Sequence, residues 1–216
     1  MATRDDVFKA IDIADADKLT EILEREPGLA SARSEDGLSA VLFTLYLQKH
    51  DLTDILLDHD PQLDLFDLAA LGMNDLLAVI LTDTRVDVNM YAGDGFSALH
   101  LASFFGQAET VELLIDKGAD VNMMAPNDSR LYPLHSAVAA GQEAVAGLLL
   151  EAGADPNAIQ AGGYTALMSA AHQGYDKLVT LLLEKGADSS LVAEDGRRAR
   201  DFAQGQPEIE KLLTRH

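Results

Sequence analysis

Three stretches of the chain repeat one another at a spacing near 33 residues, and this periodicity limits the fold more than any other feature. Residues 95–122 read GFSALHLASFFGQAETVELLIDKGADVN, residues 130–157 read RLYPLHSAVAAGQEAVAGLLLEAGADPN, and residues 163–190 read GYTALMSAAHQGYDKLVTLLLEKGADSS. Gly106, Gly141 and Gly174 stand 35 and 33 residues apart, and Gly118, Gly153 and Gly186 repeat both spacings. Such a period marks small stacked helical units, none of which can bury its apolar face without its neighbours.

Each unit reads as two helices and a turn. Ser97 and Thr165 stand where an N-cap hydroxyl accepts a backbone N–H, and Pro133 fits the first helical position, where no N–H is needed. Leu and Ala line one face of the first helix, which Gly106, Gly141 or Gly174 ends. A second helix carries Val111-Leu113-Leu114, Val145-Leu148-Leu149 or Val179-Leu181-Leu182 and stops at Gly118, Gly153 or Gly186. These paired leucines are expected to line one continuous core. The longer spacing around MMAPNDSR (123–130) predicts two extra residues in one turn, since Pro126, Asn127 and Asp128 are turn formers.

The pattern resembles the ankyrin repeat. The Thr-Pro-Leu-His-x-Ala opening survives best at Leu99-His100 and Leu134-His135, while Leu167-Met168 has lost the histidine. The central glycine, the paired leucines and the Gly-Ala-Asp-x-Asn ending recur in phase. The resemblance implies an all-α solenoid of stacked antiparallel helix pairs with short hairpin-like turns, one domain over residues 1–216. Clear repeats fall at 94–128, 129–161 and 162–194. Degenerate ones fall at 36–63 and 64–93, between an N-terminal cap pair at 5–35 (helices over 7–15 and 18–26) and a C-terminal cap at 195–216. Polar Arg200 and Asp201 replace Leu167 and Met168 in that last unit, as expected where an outer face meets water.

For function, the resemblance implies a non-catalytic module that binds another protein on its concave face. In the family, partner contacts cluster at the turn tips and just before the mid-unit glycine. Those positions here are Tyr91, Asp94, Phe96, Phe104 and Phe105, then Leu131, Ala139 and Ala140, then Ile159, Tyr164, His172 and Gln173. The aromatics concentrate in one unit, and clustered exposed aromatics mark binding hot spots unless they pack between units as core. The alternative is an acidic regulatory subunit or inhibitor that blocks a basic surface of an enzyme or nucleic-acid-binding protein.

Charge narrows the partners. The formal net charge is −20, which repels nucleic acid and anionic membranes and leaves a protein partner, if anything a basic one. Residues 51–95 carry ten aspartates against Arg85 alone, either as a solubilising surface or as a face that steers a basic partner. Without cysteine there is no thiol nucleophile and no cysteine-ligated zinc. The apolar run SAVLFTLYL (39–47) is far below the roughly 20 residues that span a bilayer. The charged N-terminus does not read as a secretion signal, so a soluble, cytoplasmic monomer is expected and the Asn127-Asp128-Ser129 sequon counts as chance.

Two rival chemistries fail. Gly93-Asp-Gly95-Phe-Ser-Ala98 matches a dinucleotide-binding turn, but a second helix follows where that fold requires a strand ending in an acid. His100 and His135 sit on neighbouring units about 8–10 Å apart, too far to share a zinc ion that needs nitrogens near 2.0–2.1 Å. Their implied role is to hydrogen-bond loop backbone. No catalytic residue, cofactor or metal is expected.

Overall fold

The computed structural model describes residues 1–215, so His216, the last residue assigned to the C-terminal cap, lies outside the described residues. Among the described residues fourteen α-helices form antiparallel pairs: α1 (Arg4–Asp12) with α2 (Ala16–Arg25), α3 (Ala40–Tyr46) with α4 (His50–Leu57), α5 (Leu65–Leu71) with α6 (Asn74–Ile80), and α7 (Ala98–Phe104) with α8 (Ala108–Asp116). Then follow α9 (Pro133–Ala139) with α10 (Glu143–Glu151), α11 (Ala166–Gln173) with α12 (Asp176–Glu184), and α13 (Ala199–Phe202) with α14 (Pro207–Arg215). Odd-numbered helices pack in an inner row and even-numbered ones in an outer row. Among the described residues there is no sheet; isolated antiparallel bridges pair Arg33 with Ser39, Tyr91 with Ser97 and Ile159 with Thr165, closing turns that project like fingers.

Local chemistry sets the helix ends. Ser97 and Thr165 accept from the N–H three residues on, as the sequence leads one to expect, Pro133 opens α9, and Ser39 caps α3 in the same way as the first two. The left-handed position between paired helices falls on Gly72, Gly106, Gly141 and Gly174, but on Ala14 and Gln48 in the first two units. Non-glycine residues carry the left-handed backbone there, at a cost in strain, and so the glycine pattern fades toward the N-terminus. The first pair also lies earlier than expected, because Thr3 and Asp6 make a capping box that starts α1 at Arg4.

Neighbouring units are clasped by side chains that satisfy orphan helix carbonyls. Gln107 Nε2 donates to Ala70 O (2.9 Å), Gln142 Nε2 to Phe104 O (3.3 Å), Gln206 Nε2 to Ala171 O (3.1 Å), and Lys49 Nζ to Ile11 O and Asp12 O (2.7 Å each). A second clasp repeats from the unit at 64–93 through the clear units. Asn89, Asn122 and Asn157 each donate to the carbonyl of a glycine in the following unit (Gly118, Gly153, Gly186; 3.0–3.1 Å). Each also accepts from a backbone N–H there (Asp120, Asp155, Asp188; 2.7–2.8 Å).

The core follows one leucine of each expected pair. Leu114, Leu149 and Leu182 are fully buried, whereas Leu113, Leu148 and Leu181 are only half-buried against it. Adjacent residues on a helix point about 100° apart, so only one of two neighbours can face the inner row squarely. Arg200 is exposed and Asp201 caps α13 through the backbone of Arg198. The two extra residues near 123–130 widen one finger: Ala125 N–H bonds Leu131 O, where the preceding finger closes Ala92 to Phe96.

Candidate functional site

One finger is missing. Between α4 and α5 the chain runs only through residues 58–64, with Pro61 preceding the N-cap Asp64, and no hairpin forms there. The two flanking fingers close the gap. A Cβ on Gly93 would lie 1.8 Å from Asp36 O and 3.5 Å from Gly37 Cα, so the chain can touch the finger at 33–39 only because this residue has no side chain.

The closure assembles an aromatic notch from units two apart. The Tyr46 ring, at the end of α3, packs 6.5 Å from Phe104 and 5.7 Å from Phe105, whose rings are mutually edge-on at 5.2 Å. The intervening unit offers only Ala70 and Leu71 at the matching positions, which leaves Tyr46 room to span it. Tyr46, Phe96, Leu101, Phe104 and Leu131 wall an apolar notch of about 100 Å³ with His100 and Ser136. At its rim the Tyr46 hydroxyl donates to Asp94 Oδ2 (2.8 Å), and Asp94 Oδ1 accepts from the Phe96 N–H (3.0 Å). Burial and then the Asp94 carboxylate hold the Tyr46 phenol well above its usual range, so it remains a donor.

The twelve positions carried over from the resemblance divide in space. Asp94, Phe96, Phe104, Phe105 and Leu131 gather around the notch, with Phe104 37% exposed and Phe105 half-buried. Tyr91 and Ile159 are exposed at the bases of their fingers, and the Tyr91 hydroxyl donates to Met124 O (2.8 Å). Ala139 is exposed and Ala140 half-buried, with Gln173 exposed. Tyr164 and His172 belong to a second cluster at the C-terminal end: both rings meet Phe202 edge-on (5.7 and 6.1 Å), Arg197 lies 4.2 Å over that ring, and Tyr164 donates to Asp195 (2.7 Å). Sequence reasoning missed Tyr46. Its place before Gln48 matches that of Phe104 and Phe105 before Gly106, and this phase was the signal.

Several polar side chains are buried next to the inner row. His100 Nε2 donates to Leu131 O (3.0 Å), fixing the inserted finger, while its Nδ1 accepts from Ser97. Burial pushes His100 and His135 down to about 4, so both are neutral near pH 7; His135 Nδ1 accepts from Tyr132 N–H, and its Nε2 has no partner in hydrogen-bonding geometry. Where the finger is missing, Asp67 takes the helix position held elsewhere by those histidines. It is buried, accepts from Ser39 Oγ and Arg33, and its pKa is pushed up to about 6 by burial and by Asp64. Among the described residues no group of three His, Cys, Asp or Glu side chains could hold a metal ion, and no helix is long and apolar enough to cross a membrane.

Much of the acidic stretch lies elsewhere. Asp51, Asp54, Asp58 and Asp75 are exposed on or beside α4 and α6, in the outer row, while Asp64 and Asp67 pair with Arg33.

Comparison with known proteins agrees with the repeat geometry. The family model described as "Ankyrin repeats (3 copies)" matches residues 8–125, 65–160 and 123–193. The chain is 26% identical over 129 residues to a putative ankyrin repeat protein of Rickettsia felis, covering 55% of this chain and 42% of that protein. It is 38% identical over 56 residues to the serine/threonine-protein kinase TNNI3K of Mus musculus, 26% of this chain and 7% of the kinase. It is 36% identical over 78 residues to alpha-latrocrustotoxin-Lt1a of Latrodectus tredecimguttatus, 36% of this chain and 5% of the toxin. The chain thus spans less than half the length of each of these relatives.

Proposed function

The chain belongs to the ankyrin-repeat family, whose repeats are generally protein–protein interaction modules, and from that premise we propose that it is a non-catalytic binding module that holds a protein partner on its inner row of helices and fingers. The observation that carries this reading is the notch between Tyr46 and Phe104. Its wall is apolar and Phe104 stays 37% exposed, although a soluble surface gains by covering such groups. Aromatic side chains held rigidly around a concavity are the usual anchors of an interface. The positions at Asp94, Phe96, Phe104, Phe105 and Leu131 form the centre of the proposed face, and Tyr46 joins them. Ala139, Ala140, Gln173 and the Tyr164–His172 cluster extend it toward the C-terminus.

The partner is a protein rather than nucleic acid or a membrane, because a net charge of −20 opposes phosphate surfaces. The module acts as a cytoplasmic monomer in this reading. The exposed aspartates on and near α4 and α6 face away from the notch and act as solubilising surface, which favours binding over the inhibitor reading. Affinity capture of a stoichiometric partner, repeated with Phe104→Ala and Phe105→Ala, tests the proposal. Lost capture with an unchanged melting curve supports it; capture that survives both substitutions moves the interface elsewhere.

A further inference from the structure

The missing finger does more than expose aromatics, because it draws acidic groups to the same place. Asp36 lies against Gly93, next to Asp94, and Glu35 adjoins Asp36. Glu35 and Asp36 are exposed; Glu35 meets only Arg4, at 3.4 Å, and no cation pairs with Asp36 or Asp94 among the described ion pairs. Arg33, the nearest arginine in the finger, is turned to Asp64 and Asp67. We propose that the notch between Tyr46 and Phe104 seats one apolar side chain of a basic peptide segment in the partner, whose lysine or arginine meets Asp94, Asp36 and Glu35 at the rim. This rests on the binding-module reading and supplies the chemistry of the partner at that site.

Size, order and charge agree. A dry cavity of about 150 Å³ holds a benzene ring, so a notch of about 100 Å³ open to solvent takes an aliphatic side chain or the edge of an aromatic one. Asp94 is already fixed by the Tyr46 hydroxyl and the Phe96 amide, so little freedom is lost when it accepts again. A carboxylate offers about four lone-pair sites, and a guanidinium can take two of them together. A second copy of the chain is a poor occupant, since it would bring another −20 of charge to the same rim. A basic segment instead gains from the field of the whole molecule over about 10 Å at 0.1 M salt.

The test is selection from a random twelve-residue peptide library on the full chain, followed by fluorescence anisotropy of the enriched peptides. Enriched sequences are expected to share Leu, Ile, Met or Phe within four residues of Lys or Arg. Phe104→Ala should weaken these peptides by about tenfold with an unchanged melt. The exposed pair Glu35→Gln with Asp36→Asn should weaken them by about threefold at low salt and by little at high salt. Enriched peptides without basic residues, affinities that ignore both sets of substitutions, or no enrichment at all would overturn the proposal. In the first two cases peptides still bind, so the broader binding reading survives; in the third, affinity capture of a whole partner decides that reading separately.

Discussion

Adding one methyl group at Gly93 should separate the two fingers that the missing hairpin brings together. A Cβ there would lie 1.8 Å from Asp36 O and 2.9 Å from its carbonyl carbon, and both opposing atoms are backbone. An ordinary carbon–oxygen contact lies beyond about 3 Å, so the finger must retreat by more than about 1 Å. Overpacking of this kind costs about 1–3 kcal/mol. Retreat also strains the hydrogen bond from Tyr46 to Asp94 (2.8 Å), a contact to a charged group with a net contribution of about 1.5–3 kcal/mol. Lower chain entropy in the unfolded state returns about 0.4–1 kcal/mol. Gly93→Ala should therefore destabilise the protein by roughly 2–4 kcal/mol in urea melts. Gly147 supplies the control: it lies inside α10 with open space around it, and Gly147→Ala should stabilise by about 0.5–1 kcal/mol. A Gly93→Ala variant as stable as Gly147→Ala, or more stable, would refute the claim that direct finger contact holds this region.

Leu149→Ala empties a fully buried position mid-array and should cost about 2–5 kcal/mol, while exposed Arg200→Ala should stay within about 0.5 kcal/mol in the same denaturant melts. The pH dependence has two opposing parts. His100 and His135 have folded pKa values near 4, below the ordinary histidine value, so their contribution is present above pH 6.5 and lost as pH falls toward 4. Asp67, raised to about 6, does the reverse: it binds its proton in the folded state first, and its contribution grows as pH falls from about 6 to about 4. Asp67→Asn should steepen the acid loss of stability and His100→Gln should soften it, as read from urea midpoints between pH 7 and pH 4; parallel profiles for wild type and both variants would contradict these assignments.

The repeats at 94–194 were legible because a helix pair too small to stand alone must reuse the same solutions, and the reused glycines, leucines and asparagines keep phase. The N-terminal half was harder to read because other residues carry the same conformations: Ala14 and Gln48 adopt the left-handed backbone that glycine marks elsewhere. The absent finger was visible only as the shortness of residues 36–63, since nothing in local propensity says which part of a unit has been lost. Tyr46 was missed for the same reason. Its contact with Phe104 and Phe105 depends on small residues in the unit between them and on the fingers closing at Gly93. For the carried-over positions, family phase placed Phe96, Phe104 and Leu131 around one notch but could not foresee that Tyr164 and His172 would instead meet Phe202.

The asparagine clasps bear on how an array like this can lengthen. Asn89, Asn122 and Asn157 address only a carbonyl and an amide of the following unit, groups that any inserted copy brings in the same place. A duplicated unit can therefore join the rear half with these clasps intact. The front junction is written differently, in Arg33, Ser39, Asp64 and Asp67, a lock whose parts come from two particular neighbours. A unit inserted there would strand a buried carboxylate away from its arginine. Growth by duplication is open toward the C-terminal side of the notch and costly at this one junction in front of it, so the surface beyond the notch is the part that can be extended.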